Sequence, residues 1–331
     1  MRKRGAAVLV VERGEPGREA SHAAGGMLVD CLLETPAPLQ ALATASARMY
    51  PEFVRELEVE SGMKVDLRDQ GTILFPIDAQ KALDLAPALP SDLDSELSGT
   101  AVPRHIFYRK ERSVDPRALT AAAVKTAKNR GVDFSSGDPV TAVNFSDDHV
   151  SGVTTTKTSF LAEKVVNCAG AWSGQIAPHA LPTRPVKGQM LCLAMPSRTL
   201  IKHVIRSPKA YLIPRSDGRL LVGATVEEAG FDKRTVPETI QGLHRAALEL
   251  VPKLADAKIL EDWAGLRPGT PDALPILGAT AMPGYYVATG HFRDGILLAP
   301  ITGEVMSAVI DGRKADYDLS AFSPARFTLS R

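Results

Sequence analysis

Aromatic residues make up only 5% of this 331-residue chain, and it carries three cysteines. No stretch approaches the ~20 consecutive apolar residues of a membrane-spanning helix. Charge of one sign is also missing: 39 basic side chains face 38 acidic ones, a net charge of +1. Without a basic footprint or interleaved aromatics there is no stacking platform for nucleic acid, so that class of partner is excluded. Cys31, Cys168 and Cys192 are odd in number and far apart. They form no C-x-x-C, which excludes a disulfide framework or a zinc site and reads as buried thiols in a reducing, cytoplasmic setting. The basic N-terminus leads into six apolar residues before Glu12, too short for a signal-peptide core. What is present is an ordinary globular composition, 44% hydrophobic and 23% charged, able to bury a large core.

A further absence is more specific: no G-x-G-x-x-G occurs anywhere. Yet residues 6–11 form a short β-branched run closed by Glu12. An acid at the end of the second strand of a Rossmann unit accepts hydrogen bonds from a ribose hydroxyl. By themselves these residues fit equally an ordinary buried strand ending in a solvated glutamate. Arg2, Lys3, Arg4 and Gly5 read as the last turn of a helix with its glycine stop. The expectation is that Met1 is an internal methionine taken as a start, with roughly 25–30 residues of strand, glycine turn and helix absent before it. Such a gap would expose the sheet beside residues 6–11, leaving Val8 and Val10, or Leu9 and Val11, uncovered, and would weaken the hold on a dinucleotide.

Strand and helix signals alternate along the rest. Residues 36–62 carry apolar positions at helical spacing, for a helix or helix pair, and 71–76 read as a strand. Residues 78–97 read as helix broken at Pro87 and Pro90. Residues 115–131 form a marked helix with Pro116 at its first position and Gly131 at its end. Residues 132–153 read as strands with a hairpin at Asp147–Asp148, and 165–169 as a buried strand. Residues 210–214 and 219–223 are short strands around a Ser216-Asp217-Gly218 turn, and 235–251 an amphipathic helix. In the C-terminal third, 285–289 is a strand, 290–295 a glycine-bracketed turn and 296–310 a helix ended by Gly312. A helix start behind such a turn is a ready site for negative charge.

Three stretches carry a resemblance: ERGEPGREASHAAGGML after the first strand, WAGLRPGTPDALPILG over 263–278, and YVATGHFRDGILLAP over 286–300. Together with 165–172 and RPVKGQM over 184–190, they resemble the glycine oxidase branch of the D-amino-acid oxidase superfamily from Arg2 to about Phe322. The resemblance implies an α/β fold: a discontinuous, Rossmann-like FAD-binding domain (1–62, 113–184, 263–331) lacking its first βα unit, plus an α+β, sheet-based substrate domain (63–112, 185–262).

By the same resemblance, Glu12 and Arg13 meet the adenosine end of FAD, with Val140 on the adenine side. Ala20 and Ser21 approach the phosphates, Gly170 closes a cofactor-side strand, and Gly25, Gly26 and Met27 pack along the isoalloxazine. The turn His291, Phe292, Arg293, Asp294, Gly295, Ile296, Leu297 wraps the pyrimidine edge. Arg267 clamps the substrate carboxylate, Arg293 is a second substrate contact, and Tyr211 is a pocket tyrosine. Trp172 and Trp263 read as core, and His22, His149 and His244 as surface. Lys209 and Val226 stand where the family has a histidine and a methionine, which leaves glycine, sarcosine and small D-amino acids open as substrates.

The implied reaction is oxidation of a small amino acid with O2 and water to a 2-oxo acid, ammonia and hydrogen peroxide. Hydride passes to flavin N5, and the family's bacterial role is thiamine thiazole synthesis. Positioning supplies most of the catalysis: a guanidinium grips a carboxylate through two parallel hydrogen bonds, and no acid–base pair or metal is called for. A D-amino-acid dehydrogenase, a sarcosine oxidase-like enzyme, and a flavin-poor remnant without catalysis are the alternatives. Assembly as a homo-oligomer is compatible with all of them.

Overall fold

The computed structural model describes residues 1–29, 35–75, 106–178 and 180–327; Cys31 and the helix expected over 78–97 lie outside them. Strand β1 (Leu9–Glu12) runs parallel to β7 (Asp133–Ser136), with Leu9 opposite Asp133. Separately, β11 (Val165–Asn167) runs parallel to β18 (Tyr285–Thr289), which pairs antiparallel with β17 (Ile276–Ala279). Among the described residues β1 and β11 are each paired along one edge only. Strands of a parallel sheet are normally covered on both faces; here Leu9 is 39% exposed, Val10 37% and Val166 37%. The exposed pair is thus Leu9 and Val10, one from each face, rather than alternate residues of a single face. Ahead of β1, Arg2–Arg4 form a 3₁₀ turn ended by Gly5 at φ 88°.

Helix α1 (Ala20–Ala23) is a single turn. Residues 40–61 form one helix, α2 (Gln40–Ser61), with Pro51 inside it. Helix α3 (Pro116–Asn129) is capped by Asp115, whose carboxylate accepts from the Arg117 and Ala118 N–H groups, and Gly131 follows at φ 78°. A meander of β8 (Val140–Ser146), β9 (His149–Thr155) and β10 (Ser159–Leu161) turns at Asp147 and Asp148. Both sit at positive φ, 48° and 61°, as a two-residue I′ hairpin requires.

The largest sheet has seven strands: β16 (Lys258–Gly269), β12 (Arg184–Ala194), β15 (Arg219–Gly223), β14 (Tyr211–Pro214), β13 (Val204–Arg206), β4 (Thr72–Leu74) and β5 (Phe107–Arg109), in that order. Its two faces separate by strand alternation. Leu191, Leu193, Leu212, Leu220 and Val222 pack under helix α4 (Pro237–Leu250), which contributes Ile240, Leu243, Ala246 and Ala247 at helical spacing. Met190, Cys192, Ile213 and Leu221 form the opposite face with Met27, Tyr211 and Trp263. A small sheet of β2 (Met27–Leu28), β6 (Arg112–Val114) and β3 (Leu67–Arg68) brings the segment after α1 onto that face.

Helix α5 (Gly295–Ile310) contains Pro300. Proline has no N–H, so the Ile296 carbonyl loses the donor four residues on. The Tyr50 hydroxyl donates to that carbonyl instead. One turn away on α2, Ser46 donates to the Leu297 carbonyl at 2.6 Å and accepts from the Ile301 N–H at 3.4 Å. Both side chains are fully buried, and burial pushes the Tyr50 hydroxyl well above its ordinary pKa. Tyr50→Phe leaves a buried carbonyl unpaired and is expected to cost about 1–3 kcal/mol. Thermal unfolding would show this as a lowered midpoint; an unchanged midpoint would mean the carbonyl had found another donor.

Candidate active site

One cavity of about 2340 Å³ runs from the open edges of β1 and β11 to the Met190 face of the large sheet. Pockets for drug-sized ligands span about 300–1,000 Å³, so this one has room for a dinucleotide and a small substrate together. It is lined by Glu12, Arg13, Ala20, Ser21, Gly25, Gly26, Met27, Val140 and Gly170, by Tyr211 and Arg267, and by His291 through Ile296. Leu297 is the exception: its side chain is 2% exposed in the core between α2 and α5, because the helix has begun and its next position turns inward.

Glu12 ends β1 and accepts from the Gly14 N–H at 3.0 Å. The Arg13 guanidinium stacks 4.3 Å from the centre of Trp172. Trp172 therefore lies along the cavity wall and not in the core; nothing in its local pattern distinguishes the two settings. Trp263 is also only half-buried. Its indole N–H donates to the Ala23 carbonyl at 3.1 Å, and Arg117 covers its other side at 4.6 Å while pairing with Glu261. His149 is exposed, but His22, on the single turn α1, and His244, on α4, are half-buried.

The segment 23–27 is shaped by exclusion. Gly26 sits at φ 78°, and a side chain there would run into the Val114 carbonyl and Pro116; the Val114 N–H binds the Gly26 carbonyl at 2.8 Å. Only glycine combines that dihedral with that approach. The turn 290–295 is similarly constrained. Phe292 adopts φ 46°, unusual for a bulky side chain, and its N–H is held by the Pro268 carbonyl at 3.0 Å. Backbone held in this region marks functional turns, and here it delivers the N-terminus of 16-residue α5 to the cavity wall, where partial positive charge favours an anion.

Arg267 projects from β16 beside Gly188, where a Cβ would fall inside the guanidinium. Its Nη1 donates to the carbonyls of Lys187 and Thr225 at 3.3 and 3.1 Å, and no carboxylate lies within ion-pair distance among the described residues. Burial lowers its pKa, opposed by Tyr211. The Tyr211 hydroxyl donates to the Met190 sulfur at 3.4 Å, and burial raises its pKa against the pull of Arg267 and Arg293. Arg293 is exposed at the cavity wall, its guanidinium 5.3 Å from the Phe292 ring centre. Lys209 and Val226 line the same cavity; Lys209 is paired with Glu249 at 2.6 Å.

His291 exchanges a hydrogen bond with Thr302 at 3.1 Å, and burial pushes its pKa down to about 4. An unfolded histidine titrates near 6.5. Between pH 6.5 and about 4 the unfolded chain therefore binds a proton that the folded chain refuses, and stability falls as pH drops through that window. Unfolding measured across it should show a shallower slope for His291→Gln than for the parent; identical slopes would place the imidazole in solvent.

A model of the DAO family, described as FAD dependent oxidoreductase, matches residues 1–309. Glycine oxidase from Pseudomonas aeruginosa is 33% identical over 97% of this chain and 93% of its own length. The bifunctional protein ThiO/ThiG of Synechocystis is 36% identical over 93% of the chain, which spans about half (48%) of that relative. In structure, glycine oxidase from Geobacillus kaustophilus superimposes with a TM-score of 0.91 at 29% identity, over 98% of this chain and 94% of the other. An acid-terminated strand, a glycine cradle, a helix start and a cavity of dinucleotide size belong together in such a protein, and the chain is a member of the DAO family of FAD-dependent oxidoreductases.

Proposed function

We propose that this chain oxidises glycine or a similarly small amino acid with O2, releasing the 2-oxo acid, ammonia and hydrogen peroxide, as the names of its relatives suggest. Residues 1–62, 113–184 and 263–331 would hold FAD, and 63–112 and 185–262 would build the substrate wall. Glu12, Arg13 and Val140 receive the adenosine end, Ala20 and Ser21 the phosphates, and Gly170 contacts the cofactor beyond the end of β11. Gly25–Met27 and the turn 291–296 receive the ring system. Bound flavin supplies the two-electron acceptor. A cytoplasmic setting and a link to thiamine thiazole synthesis belong to the same proposal.

The observation that carries it is Arg267: a largely buried guanidinium at the cavity wall that meets the Lys187 and Thr225 carbonyls and the Tyr211 hydroxyl, and no carboxylate among the described residues. A buried charge is costly until an opposite charge meets it, and a carboxylate matches the fork with two parallel bonds. Tyr211 and Met190 line the cavity beside it, with the Tyr211 hydroxyl turned onto the Met190 sulfur. Arg293, at the cavity wall, provides a second cationic contact. The chain's part is to grip the carboxylate, fix the Cα–H direction and exclude bulk water.

With FAD supplied in excess, Arg267→Ala should raise KM for glycine strongly, since losing one partner of a buried charge pair costs about 2–5 kcal/mol, and leave the bound-flavin spectrum unchanged. Equal Michaelis constants would remove Arg267 from the site. Gly188→Ala should push the guanidinium aside and raise KM with unaltered FAD absorbance. Glycine-dependent peroxide release in air is the direct test of the reaction; flavin bleaching by glycine without peroxide would instead identify a dehydrogenase.

A further inference from the structure

Arg215 is the largest fully buried side chain among the described residues, 1% exposed, directly after β14. Its Nη2 donates to the Gly25 carbonyl at 2.6 Å, while Nε and Nη1 have no hydrogen-bond partner among the described residues. The carboxylates near it are engaged elsewhere. Asp115 binds Arg219 at 2.7 Å and caps α3, and Asp66 takes the N–H and hydroxyl of Ser216. Burial lowers the Arg215 pKa to about 10, against the attraction of Asp115 and Asp66. A buried, under-satisfied cation weakens a fold, so its presence calls for a compensating role.

Strand alternation shows where that role acts. Tyr211, Ile213 and Arg215 are alternate residues on one side of the backbone, and all three bear on Gly25. A Cβ at Gly25 would lie 2.7 Å from Ile213 Cδ1 and 3.4 Å from Tyr211 Cε2, and the guanidinium takes the carbonyl. The Gly25–Gly26 peptide is not among the cis bonds, so its N–H points opposite to its C=O.

We propose that Arg215 is a positioning residue for the cofactor segment: by holding the Gly25 carbonyl on the sheet side, it turns the Gly26 N–H toward the cavity and presets the backbone that receives the flavin. The cofactor half of this inference rests on the function proposed above. A charge-assisted donor suits the task because it is about twice as strong as a neutral one. Lysine can supply the charge but not the rigid planar fork.

The test compares the full chain with Arg215→Met and Arg215→Lys by three readouts: thermal unfolding without cofactor, amide hydrogen exchange over residues 20–28, and the FAD dissociation constant from flavin fluorescence. For Arg215→Met the unfolding midpoint should stay level or rise, because an apolar chain replaces a buried cation. Exchange at residues 25–28 should quicken about tenfold, and FAD should bind about tenfold more weakly, equivalent to about 1.4 kcal/mol. Arg215→Lys should fall between parent and Met. A lowered midpoint with unchanged loop exchange and FAD affinity would make Arg215 a structural pin and overturn the inference, as would unchanged exchange at an unchanged midpoint. Faster loop exchange in a protein that takes no FAD, parent or variant, would keep the positioning of Gly25 and remove the flavin reading instead.

Discussion

Two rows of alternate side chains on one face of the seven-stranded sheet hold the segment from Ala23 to Met27, and the rest of the cavity is arranged around that grip. From β16, Trp263 binds the Ala23 carbonyl, Gly265 leaves space for the Ala23 methyl, and Arg267 continues the row into the cavity. From β14 and the residue after it, Tyr211 and Ile213 press on Gly25 while Arg215 binds its carbonyl. Because strand side chains repeat every second residue, the residues that seat the loop and those that face the substrate space belong to the same rows. Slipping either strand by one position would turn its whole row to the α4 side.

The second support is helical and is organised by two prolines. Pro300 removes a donor from the start of α5, and α2 answers with Tyr50 and Ser46, one turn apart on its inner face. Pro51 does the same to α2, and Arg112 reaches the Ala47 carbonyl at 3.5 Å. The helix that presents its N-terminus to the cavity therefore depends on side chains about 250 residues earlier in the chain.

Locally encoded features were legible in the sequence. Pro116 at the first helical position, the Gly131 stop and the Asp147–Asp148 hairpin each follow from the residues at the position itself, and each is present. The family motifs named the loops around the cavity, and all but Leu297 of the expected site residues line it. What was not legible depends on distant neighbours. Trp172 lies on the cavity wall because Arg13 stacks on it, and His244 is half-buried by the face α4 lays on the sheet. Arg215 gave no local signal of its setting, since its carbonyl partner Gly25 lies 190 residues away.

The uncovered edges of β1 and β11 bear on how the chain behaves in bulk. A strand edge recognises any extended backbone, whatever its sequence, and here two such edges open on one cleft beside Leu9, Val10 and Val166. Edge pairing is second order in protein, whereas filling the cleft with ligand is first order. Ligand and extended backbone therefore compete for one surface, and a molecule seated in this cleft shields the edge groups from pairing.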